Sequence, residues 1–398
     1  MEQRIVGAET VRMLELGHPW VIADNFTKRW PSGRAGDLVQ LIDERGKMLA
    51  TALLDPADRV VARVLSRLPM QLDRNWLKKR LQTALALREN HLDLTGTNAY
   101  RLVNGEGDGL PGLTIDRYAD YLMVQLYCEG WRSFLPLLTV TLQELLSPVG
   151  IYEKARPQNT RELEAASDSK KYGRLLAGTA APHHLKVQEN NLTFLVSMEE
   201  GLNTGLFLDQ RENRRALLAR IPGKRFLNLF AYTGAFSVAA AAAGATQVTS
   251  VDVSPSYTDW NRANFEANRI NPKKHRFLVG DCMAKLVELK AANERFDCIL
   301  MDPPSFSTTG KGRFTTRGGT SDLVAASLPL LVDGGLLICS SNHQKTDLAD
   351  YLKELRRGAL QAKMELRVIK QRGQSADFPF PVTFPEGRYL KYLVCSKS

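Results

Sequence analysis

The chain has 398 residues, 44% of them hydrophobic and 24% charged, which is enough for two or three folded domains and too apolar for a disordered protein. Its formal net charge of +10 favours a polyanionic partner, although many ordinary proteins carry a similar excess. The five cysteines stand singly and no apolar stretch reaches about 18 residues, so we expect a cytoplasmic protein without disulfides, a metal site, a leader or a membrane span.

Residues 1–70 predict a small β-rich module. Short alternating segments such as Leu38–Ile42 and Val60–Val64 are separated by turns rich in Gly, Pro and Asp. The segment Gly17–Val21 carries a histidine and an indole that suit nucleic-acid contact, although a tryptophan beside a proline is more often a core anchor. We assign no catalytic role to His18.

Residues 71–184 predict a central α+β domain. Leucines at helical spacing indicate a helix over residues 75–94. The glycine-rich stretch Tyr100–Arg117 follows, and its glycines either let a substrate approach the backbone or form tight turns. The next predicted elements are a strand at Tyr121–Tyr127, a helix at Phe134–Leu146 and a strand at Gly150–Glu153. The polar segment Arg156–Tyr172 is predicted to be an exposed connection.

Residues 185–398 alternate strands and helices, which predicts a mostly parallel, doubly wound α/β sheet. The strand Arg225–Phe230 is followed by a glycine-containing turn and an alanine-rich helix, and the next strand ends at Asp252. An acid about 20 residues after such a turn is placed to accept the hydroxyl groups of a ribose. Because no G-x-G-x-x-G motif is present, the turn provides poorly for a dinucleotide.

Two further strands end in acidic residues. Arg276–Val279 leads into Asp281, whose carboxylate suits an adenine edge, and Cys298–Met301 leads into the run Asp302–Phe306. Its two prolines stiffen a turn at the carboxyl end of a strand, where open α/β sheets bind ligands. A DPP sequence alone is equally a simple turn, but four such strand ends together predict an adenosine-type pocket with an open reacting end.

These motifs resemble class I S-adenosylmethionine-dependent methyltransferases. More narrowly, the chain resembles bacterial large-subunit ribosomal RNA methyltransferases related to the 5-methylcytosine enzymes, through Gly17–Trp20, Asp108–Asp116, Thr204–Arg211 and Pro385–Gly387. The resemblance implies a PUA-like RNA-binding domain, a central α+β domain and a Rossmann-like C-terminal domain. It implies S-adenosylmethionine as cofactor and RNA, most specifically 23S ribosomal RNA, as partner. The oligomeric state stays open, with a homodimer as one alternative.

The resemblance also assigns roles to positions in the C-terminal domain. Asp252 would bind the cofactor ribose, Asp281 the adenine, and Asp302–Phe306 would line the reacting end. The implied cofactor-binding residues are Asn228, Phe230, Ala231, Tyr232, Thr233, Gly234, Asp252, Asp281 and Asp302.

The sequence departs from the 5-methylcytosine enzymes in the segment Gly334–His343. Those enzymes carry Ser-Cys-Ser here, and aligning the paired glycines places their nucleophilic cysteine at Asn342, which forms no covalent adduct. Methylation of cytosine C5 requires a thiolate to add first, whereas a nitrogen acceptor requires only orientation, desolvation and a proton acceptor. We therefore predict a nitrogen acceptor. The predicted catalytic residues are Asp302, Pro303, Pro304, Phe306 and Asn342.

Several alternatives stay open. A slipped alignment would make Cys339 the nucleophile of a cytosine-C5 enzyme, and the missing cysteine also suits a non-catalytic, RNA-binding ribosome assembly factor. His343 is either a proton acceptor or a polar strand end. Two basic stretches, Thr308–Thr320 and Arg211–Arg225, suit either phosphate contacts or a solvated surface.

Overall fold

Three sheets of five, five and seven strands follow one another along the chain. The computed structural model describes residues 1–155, 170–304 and 319–398, with the backbone alone for 306–309 and 312–318. Residues 156–169 of the predicted connection Arg156–Tyr172 therefore lie outside the described residues. So do the side chains of the basic stretch Thr308–Thr320 that come before residue 319. Within the described ranges, no helix has both the length and the apolar character needed to cross a membrane.

The first sheet has the strand order β1-β3-β4-β5-β2, with β1 parallel to β3 and the other neighbours antiparallel. Its elements are β1 (Glu2–Ile5), α1 (Ala8–Glu15), β2 (Trp20–Ile22), β3 (Leu38–Ile42), β4 (Met48–Leu54) and β5 (Val60–Ser66). Alternating apolar residues such as Val39 and Leu41 point to one side and pack with Leu14 of α1 in a small core. The two strands predicted in this region are both present.

The second sheet has the order β10-β9-β8-β7-β6 and is antiparallel except between β8 and β9. Its elements are α2 (Arg74–His91), β6 (Ala99–Asn104), β7 (Leu113–Tyr118), β8 (Tyr121–Leu126), α3 (Leu135–Leu146), β9 (Gly150–Lys154) and β10 (Gly173–Gly178). Leu77 and Leu81 of α2 and Leu138 of α3 share its core. The glycines between β6 and β7 make tight turns, because Gly112 has φ +74° and packs against Cys128.

A separate hairpin, β11 (Leu185–Glu189) with β12 (Leu192–Val196), precedes the third sheet. Its two-residue turn places Asn190 and Asn191 at φ 52° and 63°, the left-handed conformation that asparagine tolerates in tight hairpins. The expected strand–helix alternation therefore begins at Arg225 and not at residue 185.

The third sheet has the order β15-β14-β13-β16-β19-β21-β20, parallel except at β21 and β20. Its strands are β13 (Arg225–Leu229), β14 (Gln247–Asp252), β15 (Arg276–Val279), β16 (Phe296–Met301), β19 (Leu331–Ser341), β20 (Leu366–Arg372) and β21 (Lys391–Lys397), and β17 (Phe306–Thr309) pairs with β18 (Gly312–Thr315) outside it. The chain runs outward from β13 to one edge and then returns to β16 on the other side. This reversal opens a crevice at the carboxyl ends of β13 and β16.

Helices cover both faces of this sheet. They are α4 (Arg211–Leu218), α5 (Ala235–Ala242), α6 (Pro255–Ala267), α7 (Cys282–Ala291), α8 (Thr316–Ser327) and α9 (Leu348–Ala362). Leu217, Phe236 and Phe265 pack on one face, while Leu286 and Leu355 pack on the other. The predicted doubly wound α/β architecture is confirmed, with two antiparallel strands at one edge.

The 373–390 segment, between β20 and β21, contacts all three sheets' domains. Asp377 is fully buried, pairs with Arg211 at 2.9 and 2.8 Å and accepts the backbone N–H of Arg101 at 2.8 Å. Further along, the Phe384 ring lies 4.6 Å from the ring of Trp20. Trp20 is half-buried and packs between domains, and the buried His18 lies beside it.

Candidate active site

A strained loop follows β13 at the crevice. Phe230 and Tyr232 have φ values of 58° and 51°, a conformation that costs a non-glycine residue about 1–2 kcal/mol. The hydrogen bonds that hold the loop include one from the Tyr232 N–H to Asp252 Oδ2 at 2.8 Å and one from the Ala231 N–H to the Val251 carbonyl at 2.9 Å. Strain of this kind concentrates where a ligand is bound.

Gly234 ends this loop at φ +81°, and a methyl group added there would overlap the side-chain amide of Asn261. We expect Gly234→Ala to lower the free energy of unfolding by about 2 kcal/mol or more, from left-handed strain and displaced packing together. Gly223→Ala is the matched control, because Gly223 has φ +74° with nothing within 4 Å of the added carbon. Urea unfolding of both variants measures the difference, and equal losses would contradict the packing role of Gly234.

Acidic residues stand at two adjacent strand ends beside the loop. Asp252 pairs in register with Val279, so Asp252 and Asp281 lie at neighbouring carboxyl ends. Asp281 is exposed and caps α7 by accepting the Ala284 N–H at 3.0 Å. The carboxylate of Asp252 also accepts the Ser254 N–H at 3.0 Å. A carboxylate oxygen accepts more than one hydrogen bond, and carboxylates at strand ends suit a ribose hydroxyl or an exocyclic amine.

Other predicted cofactor residues support the loop from within. Asn228 is buried and donates to Ser237 Oγ at 2.9 Å, which ties β13 to α5. Thr233 is buried too, and its hydroxyl donates to the Gly205 carbonyl. Tyr232 instead lies at the surface of the crevice, with its ring 4.5 Å from that of Tyr257. The narrow turn, the two acids and this ring fit an adenosine.

Asp302 lies beyond the end of β16 and against a polar pair. Gln210 Nε2 donates to Asp302 Oδ2 at 3.2 Å and to Ser340 Oγ at 2.9 Å. Burial raises the pKa of Asp302 to about 6, and the negative charge of Asp209 adds to the rise. Pro303 is buried and Pro304 is exposed. The Phe306 side chain lies outside the described residues.

Sequence reasoning missed the residues that hold Asp302. Asn213 donates to Gln210 Oε1 at 2.7 Å and so directs the amide nitrogen towards Asp302. The neighbouring Asp209 accepts the Tyr389 hydroxyl at 2.7 Å, and burial raises the pKa of Asp209. Asp209 and Gln210 follow the apolar run Leu206–Leu208, and this pattern was the available signal for these contacts. Nothing in the sequence marked Tyr389.

The strand β19 places the remaining candidates after its end. Asn342 is exposed, and His343 is half-buried with Nδ1 2.7 Å from Thr346 Oγ1. Burial, with the charges of Lys391 and Lys345, lowers the pKa of His343, so its imidazole is neutral near pH 7. A neutral imidazole is able to accept a proton.

Cys339 faces the opposite side of β19 from Ser340. It is fully buried in the core beneath α7, α8 and α9, next to Cys395. A hydrogen bond with Cys395 and burial raise the pKa of Cys339 well above its ordinary value. The thiolate that nucleophilic addition requires is therefore disfavoured at this position.

Two of the three arginines of α4, Arg211 and Arg214, are buried and unavailable for phosphate, whereas the third, Arg215, is half exposed and pairs with Asp93. Arg211 is buried against Asp377, and Arg214 is buried in a two-pronged ion pair with Glu189 at 2.6 Å. Both guanidinium groups are thus neutralised within the fold. Among the described residues, no cluster of three or more His, Cys, Asp or Glu side chains is arranged to hold a metal ion.

Family models match most of the chain. The model described as S-adenosylmethionine-dependent methyltransferase matches residues 100–380, and the model described as PUA-like domain matches residues 5–67. The first match spans the second sheet and the third sheet as far as β20, and the second match spans the first sheet from the end of β1.

Whole-length relatives agree with these matches. The chain is 34% identical over 385 residues to ribosomal RNA large subunit methyltransferase I of Shigella boydii serotype 18 and of Escherichia coli O139:H28, covering 95% of each chain. A solved structure assigned as a methyltransferase and complexed with SAH matches with a TM-score of 0.89 at 28% identity, over 100% of both chains. A second solved structure, assigned as a SAM-dependent methyltransferase from Streptococcus mutans, matches with a TM-score of 0.86 at 28% identity, again over 100% of both chains.

Proposed function

The chain belongs to the S-adenosylmethionine-dependent methyltransferase family, and from this membership we propose that it methylates a base of large-subunit, 23S ribosomal RNA at a nitrogen atom. The observation that carries the choice of nitrogen is the contrast between two side chains. Asp302 is a carboxylate of raised pKa at the crevice, whereas the Cys339 thiol is sealed in a core on the other face of the sheet. In the crevice, Asp302 is therefore available as a proton acceptor, whereas Cys339 is not available as a thiolate nucleophile.

The cofactor, when bound, supplies a methyl group activated by a positively charged sulfur. In our proposal the loop Phe230–Gly234 holds it at the carboxyl end of β13. Asp252 accepts hydrogen bonds from the ribose hydroxyls and Asp281 accepts a hydrogen bond from the adenine amino group, because each has a carboxylate oxygen at a strand end. Asn228 and Thr233 act through the loop, since their side chains hydrogen-bond within the fold.

Asp302 orients the acceptor in this proposal. Its carboxylate accepts a hydrogen bond from an N–H group of the target base and takes the proton where the acceptor nitrogen carries one. The raised pKa makes Asp302 a stronger base than an ordinary aspartate, and Gln210 fixes its position. Asn342 holds another edge of the base with its amide, and Pro303, Pro304 and Phe306 line the pocket into which the base turns.

The other domains present the RNA. We assign RNA binding to residues 1–70, whose match is to a PUA-like domain, a bridging role to residues 71–184, and methyl transfer to residues 185–398. We place the enzyme in the cytoplasm, in line with five cysteines that are all free thiols in the structure.

Mass spectrometry of nucleosides tests the proposal directly. Ribosomal RNA from a strain lacking the gene is incubated with the purified protein and labelled S-adenosylmethionine, and the labelled nucleoside is identified. We expect one N-methylated nucleoside that is absent from the deletion strain's RNA and restored by the protein. Recovery of 5-methylcytidine would overturn the nitrogen assignment, and no incorporation would favour a non-catalytic assembly factor.

Replacing Cys339 distinguishes the two chemistries. We expect Cys339→Ala to retain turnover within about threefold while lowering the free energy of unfolding by about 1 kcal/mol, because a buried thiol acts as a small apolar group. Cys395→Ala, which changes the neighbouring thiol in the same core, is the matched control. A loss of several orders of magnitude in kcat for Cys339→Ala alone would identify a nucleophile.

A further inference from the structure

The 373–390 segment has a concave side that no role above explains. It borders a cavity of about 430 Å³, which we name the 373–388 groove. Residues lining it include Gln374, Ser375, Phe378, Pro379, Phe380 and Arg388. The groove therefore combines aromatic, amide and cationic side chains.

The groove adjoins the reacting end. The Ser375 N–H and hydroxyl both donate to the Asp209 carbonyl, at 2.9 and 3.0 Å. The next residue, Gln210, donates to Asp302, so two hydrogen-bonded contacts and one peptide unit connect the groove wall to the carboxylate. A polymer whose reacting unit lies at Asp302 has its neighbouring units within reach of the groove.

Two side chains in the groove are exposed and available. Arg388 makes no ion pair or side-chain hydrogen bond with any residue that the structure describes, unlike the buried Arg211 and Arg214. Phe380 is 37% exposed. Gly387 lies beneath it, since a methyl group at 387 would come within 2.5 Å of Phe380 Cβ. An exposed ring and an unpaired guanidinium match a base and a phosphate.

One more polar group has unused capacity. Gln374 donates to the Gly387 carbonyl at 2.7 Å, but its Oε1 atom has no partner among the described residues. Buried polar atoms are rarely left unpaired, so an acceptor without a donor is typical of a site that a ligand or water completes.

We propose that the 373–388 groove binds a single-stranded nucleotide of the substrate RNA adjacent to the methylated one. The proposal rests on the proposed function and adds the place where the flanking nucleotide lies. Phe380 stacks on its base and Arg388 pairs with its phosphate. The chain's net charge of +10 complements a polyanion, which favours RNA over an acidic or apolar small molecule as the occupant.

Four variants test the groove. Phe380→Leu keeps an apolar side chain but removes the stacking face, and Arg388→Gln removes the charge. Their controls are Val382→Ala, which changes a 96% exposed residue of the same segment, and Arg356→Gln, which removes an exposed arginine of α9 on the far side of the sheet. None of the four residues belongs to the loop Phe230–Gly234 or to the group formed by Asp302, Gln210 and Ser340.

Methylation kinetics on ribosomal RNA and anisotropy of a fluorescein-labelled 12-nucleotide single-stranded RNA give the readouts. We expect Phe380→Leu and Arg388→Gln each to raise the RNA KM about tenfold, with kcat changed less than threefold, because the lost contact is made equally before and during methyl transfer. Arg388→Gln should also reduce the dependence of log Kd on log salt by about 0.7–0.9, the contribution of one phosphate contact.

The groove proposal and the proposed function fail in different ways. Affinity for SAH, measured by calorimetry, should be unchanged in all four variants. If Phe380→Leu and Arg388→Gln match their controls in KM, in 12-mer affinity and in salt dependence, the groove proposal is wrong. If the wild-type protein transfers no methyl group to RNA, the proposed function is wrong, and the groove is then decided by the 12-mer affinities alone.

Discussion

Asp302→Asn is expected to lower kcat by about 10²–10⁴, the range that a positioned proton acceptor contributes. Asparagine keeps the size of the side chain and still accepts the hydrogen bond from Gln210, so the loss isolates the missing negative charge. Affinity for the cofactor should change little. Asp120→Asn, which alters an exposed carboxylate in the second sheet's domain, is the control and should leave kcat unchanged.

The pH dependence of the wild-type enzyme provides a second readout for Asp302. The carboxylate must be ionised to accept a proton, and burial raises its pKa to about 6. We therefore expect kcat/KM to rise with pH through about 6 and then to level off, since this profile follows the free enzyme. The rise should disappear in Asp302→Asn, and a variant that kept the same profile with unchanged kcat would remove Asp302 from the mechanism.

The same substitution should stabilise the fold at neutral pH. Because the pKa of Asp302 is higher in the folded protein than its ordinary value of 3.8, stability falls as pH rises from about 4 through about 6. Above pH 6 the folded protein holds a desolvated charge. Asp302→Asn should therefore raise the free energy of unfolding by about 2 kcal/mol at pH 8 and by little at pH 4.

Asp377→Ala is expected to destabilise the protein by about 3–5 kcal/mol, because it leaves the Arg211 guanidinium buried without its counter-ion. Both side chains are almost fully buried, at 1% and 0% exposure. Asp377 also accepts the Arg101 N–H at 2.8 Å, so the variant removes a link between the second and third sheets' domains. Urea unfolding monitored by tryptophan fluorescence measures the loss.

The helix α4, which carries Arg211, offers a control for this prediction. Arg215 pairs with Asp93 at 2.7 Å, but both side chains are about half exposed. Asp93→Ala should cost less than about 1 kcal/mol, since exposed ion pairs contribute little. Replacing both buried partners, with Arg211→Met and Asp377→Leu together, should recover part of the loss, because no uncompensated charge remains. Equal losses for Asp377→Ala and Asp93→Ala would contradict the role of burial.

The sequence predicted the crevice well because buried parallel strands leave a clear pattern. Asp302 directly follows the buried apolar run of β16, Asp252 is the last residue of β14 and Asp281 lies two residues after β15, so the carboxyl edge of the sheet could be located from the sequence. The relation of Asn342 to the base, and the atom that receives the methyl group, stay predictions. They depend on how a substrate lies against side chains and not on periodicity.

The surroundings of Asp302 were not predictable in the same way. Gln210 and Asp302 are 92 residues apart, and Asp209 and Tyr389 are 180 apart, so no local pattern joins either pair. The charge of a side chain was also a poor guide to its exposure at α4. Arg211 and Arg214 look like surface cations in the sequence, because their acidic partners come from a distant loop and from the β11–β12 hairpin.

The 373–390 segment has a consequence for the order in which the protein matures on the ribosome. The first sheet precedes this segment in the chain and has its own small core, yet its aromatic contact surface at His18 and Trp20 receives Phe384 only after residue 384 has been synthesised. Since domains fold in the order in which they emerge, a nascent chain that ends before residue 384 leaves this surface without its Phe384 contact. The contact between the first domain and the 373–390 segment is therefore made only after the second sheet and most of the third sheet have been synthesised.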